Sequence, residues 1–226
     1  MKTSKIASFL LTLALSGFLF VSAKCQEKQQ DKIDASTKVL KDFSDMKGKI
    51  PTELLQITQG IIVVPKLINA GFVVGGKRGR GIAMVKNPDG TWSDPLFVTI
   101  TGGSVGFQAG IQSVDLVLIF KNRSTLENIG EGSFTLGGDI SVAAGPVGRS
   151  STARTDYKLD AEVYSYSRSK GLFAGISLGG SAITVDDEAN KAFYGKSVDS
   201  KTVFSTSQTA DPSVQQLKDQ LKSMYQ

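Results

Sequence analysis

Three cations lie between three glycines in the run Gly-Lys-Arg-Gly-Arg-Gly that begins at Gly76. Glycines at this spacing let backbone N–H groups approach an anion, and Lys77, Arg78 and Arg80 can each donate a charge-assisted hydrogen bond to a phosphate oxygen. A dinucleotide-binding fingerprint would require a helix after the glycines, whereas Gly81–Val85 has the pattern of a strand. The run therefore predicts an anion-binding turn, with an ordinary solvated hairpin loop as the alternative.

Further cations lie beside or near glycines in the second half of the chain: Arg149, Arg154, Arg168 and Lys170. If the strand ends that carry them meet at one rim of a sheet, they form a second basic patch suited to an acidic lipid surface. Nucleic acid is a less favoured partner, because the net charge of +5 is small and diffuse.

The composition excludes much catalytic chemistry. The chain has no His and one Cys, so it cannot build a Ser-His-Asp triad, a Cys-His pair, a His-ligated zinc site or an internal disulfide. A His-independent hydrolase remains an alternative, with Asp115 and Asp139 as its candidate carboxylates. Both could equally be hydrogen-bonded structural acids. The acids at 186–188 are expected to begin a helix and not to bind a metal, and no cofactor is predicted.

Apolar runs of strand length separate most of the 24 glycines. Period-2 alternation within two of these runs gives each one buried face, and Asn-Pro-Asp-Gly at 87–90 predicts a hairpin turn. The fold class is therefore α+β: a β-rich, mainly antiparallel, strongly curved sheet or small barrel-like core with flanking N- and C-terminal helices. The predicted strands are Ile61–Val64, Gly81–Val85, Leu96–Thr101, Val114–Phe120, Phe134–Ala144, Leu159–Tyr166 and Leu172–Val185.

Helical spacing and capping residues predict the helices. An amphipathic helix is expected within 26–49, and a shorter one after Pro51. Ser124 to Glu127 matches a capping box, and Asp186 begins a helix that ends at Gly195. A last amphipathic helix begins with Asp211 as N-cap and Pro212 at its first position.

Residues 1–23 have the pattern of a signal peptide, with Lys2 and Lys5 before an apolar stretch and Val21-Ser22-Ala23 as the cleavage site. The expected location is therefore the periplasm or outer envelope. Cys25 is a candidate for lipidation and membrane anchoring, although Ser22 and Lys24 fit a lipobox poorly. A free thiol or an intermolecular bridge is the alternative.

Seven stretches of the chain carry a recognisable family pattern: 50–51 with 60–65, 79–81, 89–95, 115–120, 136–149, 166–175 and 190 with 193–195. They resemble the SYLF domain family, in family order, from about residue 35 to 204. The resemblance implies a β-rich domain with flanking helices that binds phospholipids, phosphoinositides in eukaryotic relatives, and that has no known catalytic activity. One departure is Gly179 after Ser177-Leu178, where the family usually carries an acid.

These observations predict a signal peptide (1–23), a mobile segment (24–34), a SYLF-like lipid-binding domain (35–204) and a C-terminal amphipathic helix (205–226). The expected function is non-catalytic binding of anionic phospholipid by an exported bacterial protein. The headgroup-binding candidates are Lys77, Arg78, Arg80, Arg149, Arg168 and Lys170, and the sequence indicates no particular protein partner. A structural envelope protein without a lipid ligand is the main alternative. A small outer-membrane barrel is a further one, which the helical C-terminus disfavours.

Overall fold

The computed structural model describes residues 27–46, 50–132, 134–146, 159–207 and 209–224. The leader, Cys25, Arg149 and Arg154 lie outside the described residues, so their predicted roles stay predictions. Within the described part, six helices surround a seven-stranded sheet.

The helices follow the amphipathic segments of the sequence. Helix α1 covers residues 27–45, and Ile33 within it is fully buried. The helix includes residues 27–34, part of the segment 24–34 that the sequence analysis separates from the domain. The other helices are α2 (Thr52–Gln56), α3 (Arg123–Glu127), α4 (Asp187–Tyr194), α5 (Ser200–Ser205) and α6 (Pro212–Ser223), with a short 3₁₀ turn at Asn128–Glu131.

Two very long strands dominate the sheet, β1 (Gly60–Val85) and β2 (Leu96–Phe120). They pair antiparallel along their whole length, from Gly60 opposite Phe120 to Ala83 opposite Leu96. Five shorter strands complete the sheet: β3 (Phe134–Leu136), β4 (Val142–Ala144), β5 (Val163–Ser169), β6 (Leu172–Phe173) and β7 (Ser181–Val185). β7 pairs antiparallel with the first half of β2 and β5 antiparallel with its second half, and β4 pairs parallel with β5.

The β1–β2 ribbon folds back on itself near its middle. Register shifts occur between Val64 and Leu67 and between Gly71 and Val73, and the backbone N–H of Lys86 donates to the carbonyl of Gln59 at 2.9 Å, so the two ends of β1 meet. Glycine permits this closure, because a Cβ on Gly81 would lie 2.2 Å from the Val63 carbonyl oxygen. The sheet is thus nearly closed and barrel-like, as predicted.

The sheet buries a core on each face. The inner core includes Val64, Leu67, Ala83 and Val85, and α3 and α5 contribute Leu126 and Phe204 to it. The outer core lies under α1, α2, α4 and α6, where alternate strand residues such as Ile82 and Met84 pack.

Helix α6 is fastened to the β1–β2 connection by a buried ion pair. Lys218 Nζ lies 2.7 Å from Asp94 Oδ1, and both side chains are almost fully buried. Thr209 also donates its hydroxyl to Asp94 Oδ2, at 2.5 Å. The N-cap predicted at Asp211 is confirmed, since its side chain accepts a hydrogen bond from the Ser213 N–H.

Several other sequence predictions can be compared with the structure. The hairpin turn at 87–90 is confirmed, and so is helix α4, with Asp186 as N-cap and Gly195 in the left-handed conformation. The capping box at Ser124 is wrong, because α3 begins after Asn122 without a side-chain cap. The strand predicted over Phe134–Ala144 is two strands separated by a turn.

Candidate functional site

The segment Gly76–Gly81 is not a turn, contrary to the sequence prediction. It lies inside β1 with an unbroken register against β2, so successive side chains alternate between the two faces of the sheet. Lys77 points to the inner face, where it is buried and its Nζ donates to the Ser177 carbonyl. Burial lowers the pKa of the Lys77 ammonium. The two arginines lie on the outer face.

Arg168 is engaged inside the protein. Its Nη2 lies 2.7 Å from Asp42 Oδ2 of α1 and 2.7 Å from Asp115 Oδ2 of β2, and the guanidinium carbon stands 5.8 Å from the centre of the Phe43 ring. Only 14% of the side chain is exposed. Arg168 therefore fastens α1 to the sheet and leaves little charge for a headgroup.

Arg80 belongs to a cationic cluster that sequence spacing did not reveal. Its Nε lies 3.1 Å from Asp186 Oδ2, with 47% of its side chain exposed. A Cβ on neighbouring Gly79 would lie 3.2 Å from Leu67 Cα, so the fold-back brings Arg80 close to Lys66. Burial lowers the pKa of half-buried Lys32 of α1, and three neighbouring cations lower it further: Arg80, Lys66 and Lys28.

Two exposed apolar side chains lie on the outer face of the β1–β2 ribbon, and a third lies at the turn beside them. Ile111 is 81% exposed and Ile68 is 41% exposed. They are close neighbours, because Ile68 pairs with Ser113 and Ile111 with Ala70 in the β1–β2 register. The β5–β6 turn lies beside them, since Ser169 Oγ donates to the Ser113 carbonyl at 3.4 Å. That turn presents Leu172, which is 73% exposed.

We call this region the bend surface. It combines three exposed cations with three exposed apolar side chains: Lys66, Arg78, Lys170, Ile68, Ile111 and Leu172. Lys66 projects at the register shift of β1 with φ +55°, and Lys170 stands in the β5–β6 turn with φ +50°. Of the predicted headgroup residues, Arg78 and Lys170 belong to this surface. Arg80 pairs with Asp186 in the neighbouring cationic cluster, and Lys77 and Arg168 make contacts inside the protein.

The two carboxylates proposed for a hydrolase have structural partners. Asp115 pairs with Arg168, and its Oδ1 accepts the backbone N–H of Lys66 at 3.1 Å. Asp139 is exposed in a turn, where it accepts the Thr135 N–H at 2.8 Å. Within the described ranges, no group of three or more metal-ligating side chains converges, and no helix there combines the length and apolar character needed to cross a membrane.

These features define a β-rich domain, a folded ribbon covered by helices with cationic and apolar side chains exposed on its surface. Residues 101–224 match the family described as Ysc84, Las17-binding protein actin regulator. The chain therefore belongs to the Ysc84 family, the SYLF domain family that the sequence motifs indicated.

Relatives of known name cover most of the chain. LAS seventeen-binding protein 3 of Saccharomyces cerevisiae is 36% identical over 87% of this chain and 43% of its own length. Protein YSC84 of the same yeast is 38% identical over 69% of this chain and 34% of its own. SH3 domain-containing YSC84-like protein 1 of Xenopus laevis is 38% identical over 71% of this chain and 50% of its own. The chain thus matches half or less of these relatives, which are named for binding and domain content and not for an enzymatic activity.

Proposed function

We propose that this protein binds anionic phospholipid surfaces through the bend surface, without catalysis. The observation that carries the proposal is the exposure of Ile68, Ile111 and Leu172 among cations. Exposed apolar clusters rimmed by polar groups mark interaction sites, and cations near an anionic bilayer each contribute about 1 kcal/mol.

The arrangement suits a bilayer interface in particular. Aliphatic side chains can enter the boundary between headgroups and acyl chains, while the long stems of Lys66, Arg78 and Lys170 keep their charges at the phosphate level. Arg80 and Lys32 add positive potential behind them, on the same outer face. The cluster around Arg80 thus extends the attraction without needing direct contact.

The charge requirement can be tested by removing three bend-surface cations together. The variant K66Q/R78Q/K170Q should bind vesicles containing phosphatidylserine at least about tenfold more weakly, because about 3 kcal/mol of surface attraction is lost. A matched control, K191Q/K196Q/K222Q, removes three exposed lysines on and after α4 and on α6. An equal loss of vesicle affinity in the two variants would show that only the net charge matters, which would contradict the proposed surface.

The apolar requirement is tested separately. The variant I111S/L172S should weaken vesicle binding at all salt concentrations, because the lost burial of apolar surface is not screened. Ile57, 40% exposed after α2, provides the control I57S, which should bind as the unchanged protein does. If neither Ile111 nor Leu172 matters and no vesicle is bound, a structural envelope role or a protein partner replaces lipid binding.

We also propose that the protein is exported and that residues 1–23 are removed. The support is the charged and apolar pattern of the leader. Mass spectrometry of protein from the envelope fraction would give the mature N-terminus. A diacylglyceryl mass on Cys25 would show anchoring, whereas an uncleaved Met1 in the cytoplasmic fraction would contradict export.

A further inference from the structure

Lys77 carries a charge on the inner face of the sheet. Ala83 and Val85 of the inner core lie on the same face further along β1. Only 6% of the residue is exposed. The Ser177 carbonyl accepts one of its three N–H bonds, and no carboxylate of the described residues pairs with it. A buried ammonium without a counter-ion is costly.

Ser181 provides a second unused polar group at the same place. Gly102 of β2 is the register partner of both Lys77 on β1 and Ser181 on β7, so the two side chains flank it on one face. A Cβ on Gly102 would lie 2.7 Å from Ser181 Oγ, which confirms that the hydroxyl leans over this glycine. Ser181 is fully buried, and its Oγ has no hydrogen-bond partner among the described residues.

Exposed glycines lie beside these two side chains in the connection between β6 and β7, which also holds the Ser177 carbonyl. Gly179 and Gly180 directly precede Ser181, and both are exposed. A Cβ on either glycine would meet nothing within 4 Å. An approaching group therefore meets bare backbone on its way to the lysine and the serine.

We propose that Lys77 and Ser181 form a receptor for one anionic oxygen group, a phosphate supplied by a lipid headgroup. The proposal rests on the proposed function and adds to surface attraction a single-molecule site. The phosphate provides the buried ammonium with a counter-ion and accepts the Ser181 hydroxyl, so that two polar groups without adequate partners are satisfied together. Free phosphate has the same chemistry and is the alternative source.

Two variants test the receptor, K77M and S181A, with K121M as the matched control. Lys121 also donates its Nζ to one carbonyl, that of Leu159, but it lies just after the far end of β2. The soluble probes are dihexanoyl phosphatidic acid below its micelle concentration and inorganic phosphate, measured by titration calorimetry. We expect K77M to weaken dihexanoyl phosphatidic acid binding at least about tenfold and S181A about threefold or more, since a charge-assisted hydrogen bond exceeds a neutral one. K121M should bind normally.

Stability distinguishes the receptor from a purely structural lysine. K77M replaces the buried ammonium with an apolar side chain of similar length, so its melting temperature should stay unchanged or rise while binding is lost. A lower melting temperature with unchanged probe affinity would assign Lys77 to bracing the Ser177 segment and overturn the proposal. If K77M does not fold, the probe affinity of S181A still tests the receptor, because this substitution removes only one oxygen atom.

The outcomes separate this receptor from the membrane surface. Vesicle binding that needs the bend-surface cations, with no probe binding and no effect of K77M or S181A, would overturn the receptor alone. Probe binding without vesicle binding would overturn the membrane surface and keep the receptor. Equal affinity for inorganic phosphate would support the receptor and overturn the lipid as its source.

Discussion

Arg168 shows how one guanidinium group can join three elements. It lies on β5, contacts Asp115 on β2 and Asp42 on α1, and stands against Phe43. Arg168, predicted as a surface cation of the lipid site, instead holds α1 against the sheet through ion pairs. The sequence placed Arg168 beside a glycine turn, which is a common signal for exposure. The sequence could not indicate that Arg168 contacts Asp115 and Asp42, because these acids are 53 and 126 residues away along the chain.

Removing this brace should destabilise the fold. The variant R168M leaves Asp115 without its cation and Asp42 with Lys38 alone, so we expect the free energy of unfolding to fall by about 2–3 kcal/mol. Urea denaturation followed by circular dichroism measures the change. R78M, at an exposed arginine of the bend surface, is the control and should change it by less than about 0.5 kcal/mol. Equal effects would contradict the bracing role.

The same contact predicts an acid-dependent loss of stability. Burial alone would raise the pKa of Asp42, but hydrogen bonds from Lys38 and Arg168 outweigh it and hold the pKa below its ordinary value. A lowered folded-state pKa stabilises the protein above about pH 4 and loses that contribution as the pH falls through it. D42N should therefore be less stable at neutral pH and lose less stability between about pH 5 and 3 than the unchanged protein. Parallel melting curves across that range would contradict this assignment.

At the scale of the element, the fold-back of β1 depends on glycine. The sequence indicated a curved sheet from glycines inside apolar runs, and that expectation is confirmed. It divided β1 and β2 into four strands, because glycine clusters also mark loops. The close approach of Gly81 to Val63 and of Gly79 to Val64 shows that these glycines make room for the crossing backbone and side chains. Only the tertiary structure shows whether a glycine cluster lies in a loop or makes room for a crossing strand.

Substituting the crossing glycine should be much worse than substituting an exposed one. In G81A the new Cβ would stand 2.2 Å from the Val63 carbonyl oxygen, so the strands must separate, at a cost of about 3 kcal/mol. G103A, also in the ribbon but with nothing within 4 Å, should change stability by less than about 0.5 kcal/mol. Thermal unfolding of both variants gives the comparison, and a harmless G81A would contradict the observed crossing.

The ion pair beneath α6 offers a test of how the C-terminal helix is held. K218M leaves the Asp94 carboxylate buried without its cation, so stability should fall by about 3 kcal/mol. In D94N/K218M both charges are absent, and part of that loss should be recovered. Chemical denaturation of the two variants decides this, and a double variant no more stable than K218M would contradict the predicted interaction of the two charges.

At the scale of the whole molecule, the family, the β-rich class and the flanking helices were predictable from local pattern and motif. The site was predictable only in part. Arg78 and Lys170 are exposed as expected, but Lys66, Ile68 and Ile111 carried no signal, because a register shift and the fold-back give them their exposure. The role proposed for Ser181 was not predictable either, because a buried hydroxyl without a hydrogen-bond partner can be recognised only in the assembled sheet.

The central claim is that this molecule recognises an anionic membrane by charge and apolar contact together. Its most direct test is co-sedimentation of the full chain with phosphatidylcholine vesicles and with vesicles containing about one-third phosphatidylserine, from about 0.05 to 0.5 M salt. We expect stronger binding to the anionic vesicles, an advantage that shrinks as salt rises, and loss of that advantage in K66Q/R78Q/K170Q. Equal binding to both vesicle types at every salt concentration would contradict the claim.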